Sequence, residues 1–208
     1  MNLPMVPVTD LTVKDNNLIA ATQGRSFWML DDLTPLHQLS DAAKTARHFL
    51  FQPMDTYRMR GGNGRTSKTA GTNHPGGVLV HYYVRDTSAS DTISISFMES
   101  DGDLIKTYST HPNKENDESQ LSVEPGLNTM NWNMQYNGAS SFPGMILWAA
   151  STRGPLAVPG SYQVSMKTNN NEQTQSFELI KDPRVSSSQE DLQAQFDFLI
   201  KVRDKLTD

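Results

Sequence analysis

Three short stretches rich in apolar residues lie near the start of the chain, at residues 10–13, 18–22 and 25–31. Short stretches of this kind, bounded by turn signals, predict β-strands. Turn-forming runs, Asp15-Asn16-Asn17 and Gln23-Gly24, separate the stretches, so the pattern predicts a three-stranded meander. Three strands of about five residues cannot bury their own faces. We therefore expect this small sheet to need partners supplied by something else.

The spacing of apolar residues becomes helical after Leu39. Apolar side chains recur at positions 39, 42, 43, 46, 49 and 50, and Ser40 and Asp41 suit a helix start. The pattern predicts a short connector helix or an irregular connector. The glycine-rich segment 60–77 contains few residues able to make core contacts, and it predicts a flexible linker.

After this linker the apolar residues recur with a period of two, from Val78 to Leu179. The apolar positions of the series are Val78, Val80, Tyr82, Val84, Ile93, Ile95, Phe97, Met130, Trp132, Met134, Met145–Trp148, Tyr162, Val164, Met166, Phe177 and Leu179. Turn signals divide it into roughly seven short strands in about 105 residues. Regular strand spacing with no helices between the strands predicts an antiparallel β-sandwich.

The end of the chain has the pattern of an amphipathic helix. Ser187 and Glu190 have the spacing of a capping box, and Asp197 and Lys201 that of a supporting ion pair. One apolar stripe is formed by Leu192, Phe196, Leu199, Val202 and Leu206. No glycine or proline follows as a stop signal, so we expect a helix that is truncated by the chain end.

Composition narrows the function classes. The 208 residues carry a formal net charge of −5 without a dense cluster of Lys and Arg, which argues against nucleic acid as a partner. No apolar run approaches the roughly 20 residues that a membrane span needs, and the N-terminus lacks a signal-peptide pattern. The chain has no cysteine, which excludes disulfides and thiol nucleophiles. If the parent protein is exported, we expect its signal upstream of this chain.

Residues 8–36 resemble a known family. The strand Val8-Thr-Asp-Leu-Thr-Val13 and the motif Ala21-Thr-Gln-Gly-Arg-Ser-Phe-Trp-Met-Leu-Asp-Asp-Leu-Thr-Pro-Leu36 are similar to the closing blade of bacterial sortilin-like β-propellers, often labelled BNR-repeat glycosyl hydrolases. The resemblance implies an upstream propeller domain as partner and a periplasmic or extracellular location. The Asp boxes of sialidases are absent, and most of a catalytic funnel would come from other blades. The hydrolase label therefore does not transfer to this chain.

The stretch from Pro75 to Arg184 carries a second resemblance. Its motifs Glu124-Pro-Gly-Leu-Asn-Thr-Met-Asn-Trp-Asn133 and Gly154-Pro-Leu-Ala-Val-Pro-Gly-Ser-Tyr-Gln-Val164 are similar to the immunoglobulin-like domain of the flagellar hook-capping protein. The likeness implies an architecture and no particular chemistry.

These patterns together predict a mainly β fold, in which an immunoglobulin-like antiparallel β-sandwich follows propeller-type strands. We expect the last strands of a propeller blade at 1–36, and a connector helix with a flexible linker at 37–77. The sandwich is expected at 78–183, and a C-terminal amphipathic helix at 184–208.

Candidate sites for chemistry are sparse. Segment 61–69 lacks the order of a phosphate-binding loop, the five histidines are far apart, and Glu99, Asp101 and Asp103 lack the spacing of a calcium loop. Asp31 and Asp32 are adjacent and are expected to serve the exit from the blade. We predict no catalytic residue, no metal ligand and no cofactor site. Trp132 and Tyr162 are expected in the core, which leaves Trp148 as the residue to test for ligand contact.

The function predicted from these residues is that of a non-catalytic accessory or interaction module of a larger secreted propeller protein. Two alternatives stay open: a carbohydrate-binding module beside a glycosidase, and part of a hydrolase whose active site needs the missing propeller. Expected partners are the upstream propeller, a glycan or protein ligand, and a second copy that pairs through the N-terminal strands.

Overall fold

The computed structural model describes residues 3, 5–59, 75–86, 91–142, 144–148, 150–169 and 171–208. The chain divides into two compact units, Met1–Ala46 and Arg47–Asp208. Strands predominate in both, and a long helix ends the second. The mainly β fold class predicted from the sequence is therefore confirmed.

The first unit contains an antiparallel meander of β1 (Val8–Lys14), β2 (Asn17–Thr22) and β3 (Phe27–Leu30). Asp15 and Asn16 join β1 to β2 with φ values of 48° and 62°. Two consecutive positive φ values define a type I′ turn, whose twist matches that of the strands it joins, and Asn and Asp tolerate this conformation. The three strands expected from the short apolar stretches and the turns between them are thus present in the expected order.

Asp32 fixes the exit from this sheet. Its carboxylate accepts hydrogen bonds from Asn16 Nδ2 (3.1 Å) and from the backbone N–H of Thr34 (3.0 Å). Its own N–H donates to Asn17 Oδ1 (2.9 Å). These bonds tie the end of β3 to the first turn and precede the single-turn helix α1 (Thr34–His37). Asp32 therefore connects the end of the meander to its first turn.

The predicted connector is only partly helical. Helix α2 (Asp41–Thr45) begins at Ser40, whose side chain accepts a hydrogen bond from Ala43 N, but the helix stops before residues 49 and 50. Those two residues lie in strand β4 (His48–Leu50), and β5 (Thr56–Tyr57) follows. The helical spacing was misleading at residues 49 and 50, because pairing with a strand distant in sequence determines their conformation. The remainder of the predicted linker, 60–74, lies outside the described residues.

The second unit contains two sheets. Their strands are β6 (Val78–Val84), β7 (Ser94–Glu99), β8 (Leu104–Ser109), β9 (Ser119–Gln120), β10 (Gly126–Trp132), β11 (Gly160–Lys167) and β12 (Glu172–Ile180), together with β4 and β5. The smaller sheet has the order β10-β6-β4, and the larger has the order β5-β12-β11-β7-β8-β9. Most neighbours are antiparallel, whereas β5 and β9 pair in parallel at the two edges of the larger sheet.

One hydrophobic core joins the two sheets, with Trp132 at its centre. The Trp132 side chain is fully buried and stacks on Phe97 with 4.6 Å between ring centroids. Edge-to-face contacts link it to Tyr162 and Phe177, at 6.0 and 6.2 Å. Such aromatic contacts add to the gain from removing apolar area from water. The prediction that Trp132 and Tyr162 belong to the core is confirmed.

Residues 145–148 do not form the strand expected of them. The described part of the segment between β10 and β11 has turns, bends and one isolated bridge, but no strand. An apolar run is compatible with a strand, but it becomes one only when a neighbouring strand satisfies its backbone.

The C-terminal helix α3 (Gln189–Thr207) is present as predicted, with its cap one residue further along. Ser188 accepts from Asp191 N, and the Asp191 carboxylate accepts from Ser188 N, which completes a capping box. Asp197 accepts from Gln193 Nε2 (2.8 Å) rather than pairing with Lys201. Among the described residues, no helix combines the length and the apolar character that crossing a bilayer requires.

The two tryptophans of the second unit give a matched test of this core. Trp132→Ala should lower the free energy of unfolding by about 3–5 kcal/mol, because a large cavity replaces a central side chain. Trp148→Ala, at an exposed position, should change it by less than about 0.5 kcal/mol. Urea denaturation followed by circular dichroism measures both. Equal losses for the two variants would contradict the assignment of Trp132 as the centre of the core.

Candidate functional site

The segment between β10 and β11 forms two closely paired arms, 134–139 and 152–157, which we call the ribbon. Ala157 N donates to Met134 O (2.7 Å), and Tyr136 N donates to Pro155 O (3.0 Å). Further out, Ala139 N donates to the carbonyl of residue 152 (2.8 Å). These backbone bonds hold the arms together along most of their length. The described residues of 140–151 form the apex of the ribbon, which we call the tip.

Two glycines allow the arms to approach so closely. A Cβ on Gly138 would lie 2.2 Å from Thr152 O, and one on Gly154 would lie 2.1 Å from Tyr136 O. Real Cβ atoms essentially never come within 3.0 Å of another heavy atom. Any larger residue at either position would push the arms apart, so the ribbon depends on both glycines.

Side-chain contacts fasten the ribbon to the rest of the unit. Tyr136 Oη donates to Glu99 Oε1 (2.6 Å), and the Tyr136 ring packs edge-on against Phe196 of α3 at 4.8 Å. On the other arm, Arg58 Nε donates to Ala157 O (2.6 Å). Burial, and then the hydrogen bond to Glu99, raise the pKa of Tyr136 far above its usual range. The phenol therefore remains a donor at every physiological pH.

The tip presents apolar side chains to solvent. The exposed fractions are 66% for Phe142, 78% for Ile146 and 99% for Trp148. Trp148 also has a φ of 46°, in the left-handed region that bulky residues rarely occupy. Such a conformation costs on the order of 1–2 kcal/mol. An exposed aromatic side chain with unfavourable backbone geometry is more readily explained by binding than by stability.

The tip and ribbon lie in an unusually uncharged part of the chain. Between residues 125 and 166, Arg153 is the only Asp, Glu, Lys or Arg, whereas such residues make up 20% of the whole chain. The central parts of protein–protein interfaces are likewise depleted of charge and enriched in aromatic residues, Met and Arg. The composition of the ribbon therefore favours contact with another macromolecule over a charged small ligand.

A groove between the ribbon and α3 is too small to hold a sizeable ligand. Its volume is about 130 Å³, and it is lined by Ala139, 151–155, Leu199, Val202, Arg203 and Leu206. Pockets for drug-sized molecules measure roughly 300–1,000 Å³. The apolar stripe of α3 faces this groove, which makes the groove part of the packing between helix and ribbon.

The acidic residues considered as calcium ligands have other contacts. Glu99 accepts from Tyr136, and Asp101 Oδ1 accepts from the backbone N–H of Asp103 (3.2 Å) within a hairpin turn. Within the described ranges, no three His, Cys, Asp or Glu residues are grouped as metal ligands. Segment 61–69, compared above with a phosphate-binding loop, lies outside those ranges.

Two histidines occupy the smaller sheet, far from the tip in sequence. His81 lies 2.8 Å from Thr129 Oγ1 through its Nδ1 atom. His48 Nε2 is buried and, within the described structure, has no hydrogen-bond partner. Burial and then the neighbouring Arg47 lower the pKa of His48, which favours the neutral imidazole. The His81–Thr129 contact joins two residues that lie opposite each other in the paired strands β6 and β10.

Trp148 was the only residue singled out from the sequence as a ligand contact, and it lies in the tip segment that also contains the exposed Phe142 and Ile146. Those two residues were missed, as was the ribbon. The absence of charged residues over 125–152 was visible in the sequence and is a signal that could have identified the segment as a candidate contact surface. The close approach of the arms at the two glycines depends on residues some 15 positions apart and has no local signal.

No family model, curated protein or solved structure matches the chain. The resemblances to sortilin-like propellers and to the immunoglobulin-like domain of the hook-capping protein therefore remain proposals.

The anchoring of the ribbon can be tested at Tyr136. Tyr136→Phe should lower the free energy of unfolding by about 1.5–3 kcal/mol, because it removes a hydrogen bond to a carboxylate and leaves Glu99 without that donor. Amide exchange at 134–139 should accelerate. Tyr57→Phe, at an exposed ring, is the matched control and should leave both quantities unchanged. Unaltered exchange in Tyr136→Phe would show that this bond does not hold the ribbon.

Proposed function

We propose that the chain is a non-catalytic interaction module of a larger propeller protein. Its meander serves as part of a blade, and its second unit is an immunoglobulin-like sandwich that contributes to assembly. The proposal rests above all on the exposed apolar side chains that lie on both faces of the meander.

The side chains of the meander alternate between two faces. The pairing of the strands places Leu11, Val13, Leu18, Ala20, Trp28 and Leu30 on one face. The other face carries Ile19, Ala21, Phe27 and Met29 together with polar residues of β1. Leu11, Val13, Phe27 and Met29 are all more than half exposed.

A sheet that exposes apolar side chains on both faces gains from a packing neighbour on each side. Antiparallel sheets in ordinary globular domains commonly have one buried and one polar face. Propeller blades differ, because each blade lies between two others around a central axis. The exposed apolar faces therefore support a blade position and a missing set of neighbouring sheets.

The second unit has features that support a sandwich of the immunoglobulin type. Seven strands lie within the described parts of 78–183, and two sheets share one core with a tryptophan at its centre. Immunoglobulin-like domains likewise pack two mainly antiparallel sheets around a buried Trp. Within this proposal, the charge-poor ribbon provides the contact surface, and the parent protein functions in the periplasm or outside the cell.

The blade proposal can be tested with a longer protein that also contains the residues encoded upstream of this chain. Amide exchange at 8–30 should slow by more than about tenfold relative to the 208-residue chain, the factor given by 1.4 kcal/mol of added stability. Exchange in β11, which lies in the second unit, is the internal control and should not change. Equal exchange at 8–30 in both proteins would reject a blade position.

The same pair of proteins addresses the hydrolase alternative. Glycosidase activity that appears only in the longer protein would indicate an active site formed by upstream blades. Inactivity of both proteins on a broad glycan panel, with 8–30 protected in the longer one, would retain the blade and reject the hydrolase.

Carbohydrate binding is a second candidate function, favoured by the almost complete exposure of Trp148. Aromatic faces stack on sugar rings, and such a contact predicts saturable heat in calorimetry with a glycan panel. Trp148→Ala should abolish this heat, whereas Phe142→Ala, which removes an aromatic ring from the same tip, should retain most of it. Absence of heat with every glycan would reject this function and favour a protein contact.

A further inference from the structure

Strand β10 is an open edge of the smaller sheet. The bond from Phe51 N to His81 O (3.1 Å) shows that the backbone of His81 points toward β4. Backbone groups alternate in direction along an antiparallel strand, so Tyr82 and its even-numbered neighbours in β6 bond to β10. The register between β6 and β10 then leaves three residues of β10 with outward backbone groups: Leu127, Thr129 and Asn131.

These outward groups are accessible. Leu127, Thr129 and Asn131 are exposed, and within the described structure no backbone bond occupies their outward side. The seven residues of β10 include no charge and no proline, and its pairing with β6 runs without a bulge. Proteins commonly block an edge strand with one of these devices, because an open edge is a template for another strand.

The other edges of the sheets are shorter, charged or interrupted. Edge strands β4, β5 and β9 contain only three, two and two residues, and β3 contains four. Strands β12 and β8, which β5 and β9 cover only in part, carry charged residues: Glu172 and Glu178 in β12, and Lys106 in β8. In the first unit, β1 has a register shift after Val8 and carries Asp10 and Lys14. Strand β10 is therefore the longest edge without a charge, a proline or a bulge among the described residues.

We propose that two copies of the chain pair through β10, antiparallel, about a two-fold axis at Thr129. The outward residues are spaced symmetrically about Thr129, so Leu127 faces the partner's Asn131, and Thr129 faces the partner's Thr129. Each copy donates three N–H groups and accepts at three carbonyls. The two small sheets join into one of six strands. Because the contact is isologous, it closes at a dimer and does not propagate.

Proline at position 127 tests the outward edge of β10 without disturbing the pairing of β10 with β6. Leu127→Pro removes an outward N–H that takes no part in bonding to β6, so the sheet should form normally. Leu127→Ala is the matched control, since it loses the same side chain but keeps the N–H. Sedimentation velocity over about 1–500 µM should show dimers of the natural chain and of Leu127→Ala. Leu127→Pro should dissociate at least tenfold more readily, with an unchanged near-ultraviolet circular dichroism spectrum.

Disulfide capture tests the register, because the natural chain has no cysteine. Hydrogen-bonded antiparallel pairs have Cα atoms about 5.5 Å apart, within the range a disulfide spans. Thr129→Cys should therefore form covalent dimers under mild oxidation. A mixture of Leu127→Cys with Asn131→Cys should form mixed dimers, and this arm still tests the register if loss of the Thr129 contact to His81 disturbs the first variant.

Three results would overturn the proposal. The first is that the natural chain stays monomeric throughout the concentration range. The second is that Leu127→Pro and Leu127→Ala dimerise equally. The third is that covalent dimers form through Leu11→Cys and not through Thr129→Cys. The last result would assign pairing to the N-terminal strands. All these experiments use the 208-residue chain, so their outcome is independent of whether the meander belongs to a propeller.

Discussion

The stacking of Trp132 on Phe97 is the contact on which the second unit depends. Trp132 ends β10 in the smaller sheet, and Phe97 lies in β7 of the larger one, so the contact joins the two sheets directly. The indole N–H donates to Gln135 O (3.2 Å), which directs the chain into the ribbon immediately after the strand. One side chain therefore fixes both the distance between the sheets and the point where the ribbon begins.

The ribbon illustrates how a rigid base supports an exposed tip. Backbone bonds between its arms, two glycines at the points of closest approach, and the Tyr136–Glu99 bond leave the base little freedom. The entropic cost of ordering these residues is therefore met on folding and not on binding. An exposed tryptophan on such a base can contact a partner without a further large loss of conformational entropy.

Much of the fold was predictable because its determinants are local. The period of two identified β6, β7, β10, β11 and β12, the Asp15-Asn16 turn identified the first hairpin, and the apolar stripe identified α3. The predictions were wrong where pairing with a strand distant in sequence determines the conformation of a segment. Phe49 and Leu50 fit a helix by spacing, but β6 offers them an edge to pair with. The run 145–148 fits a strand, but no neighbouring strand satisfies its backbone.

The candidate sites show the same division between local and distant determinants. Trp148 was singled out for testing because its place in the core was less certain than that of Trp132 and Tyr162, whereas Phe142 and Ile146 of the same segment had no pattern to identify them as a contact surface. Edge strands are harder still, because strand order is a property of the whole sheet. Nothing local distinguishes β10 from β11, yet β11 is bonded on both sides and β10 on one.

The exposed apolar surfaces of the two units have different physical consequences. In the meander, exposed apolar side chains lie on both faces of one small sheet, with Leu11 and Val13 on one face and Phe27 and Met29 on the other. In the second unit one core joins the two sheets, and exposed apolar side chains occur at the tip, on α3 and at single strand positions such as Leu104 and Leu127. A contact through the meander would therefore bury the faces of a sheet, whereas a contact through the second unit would bury side chains that lie outside a continuous core.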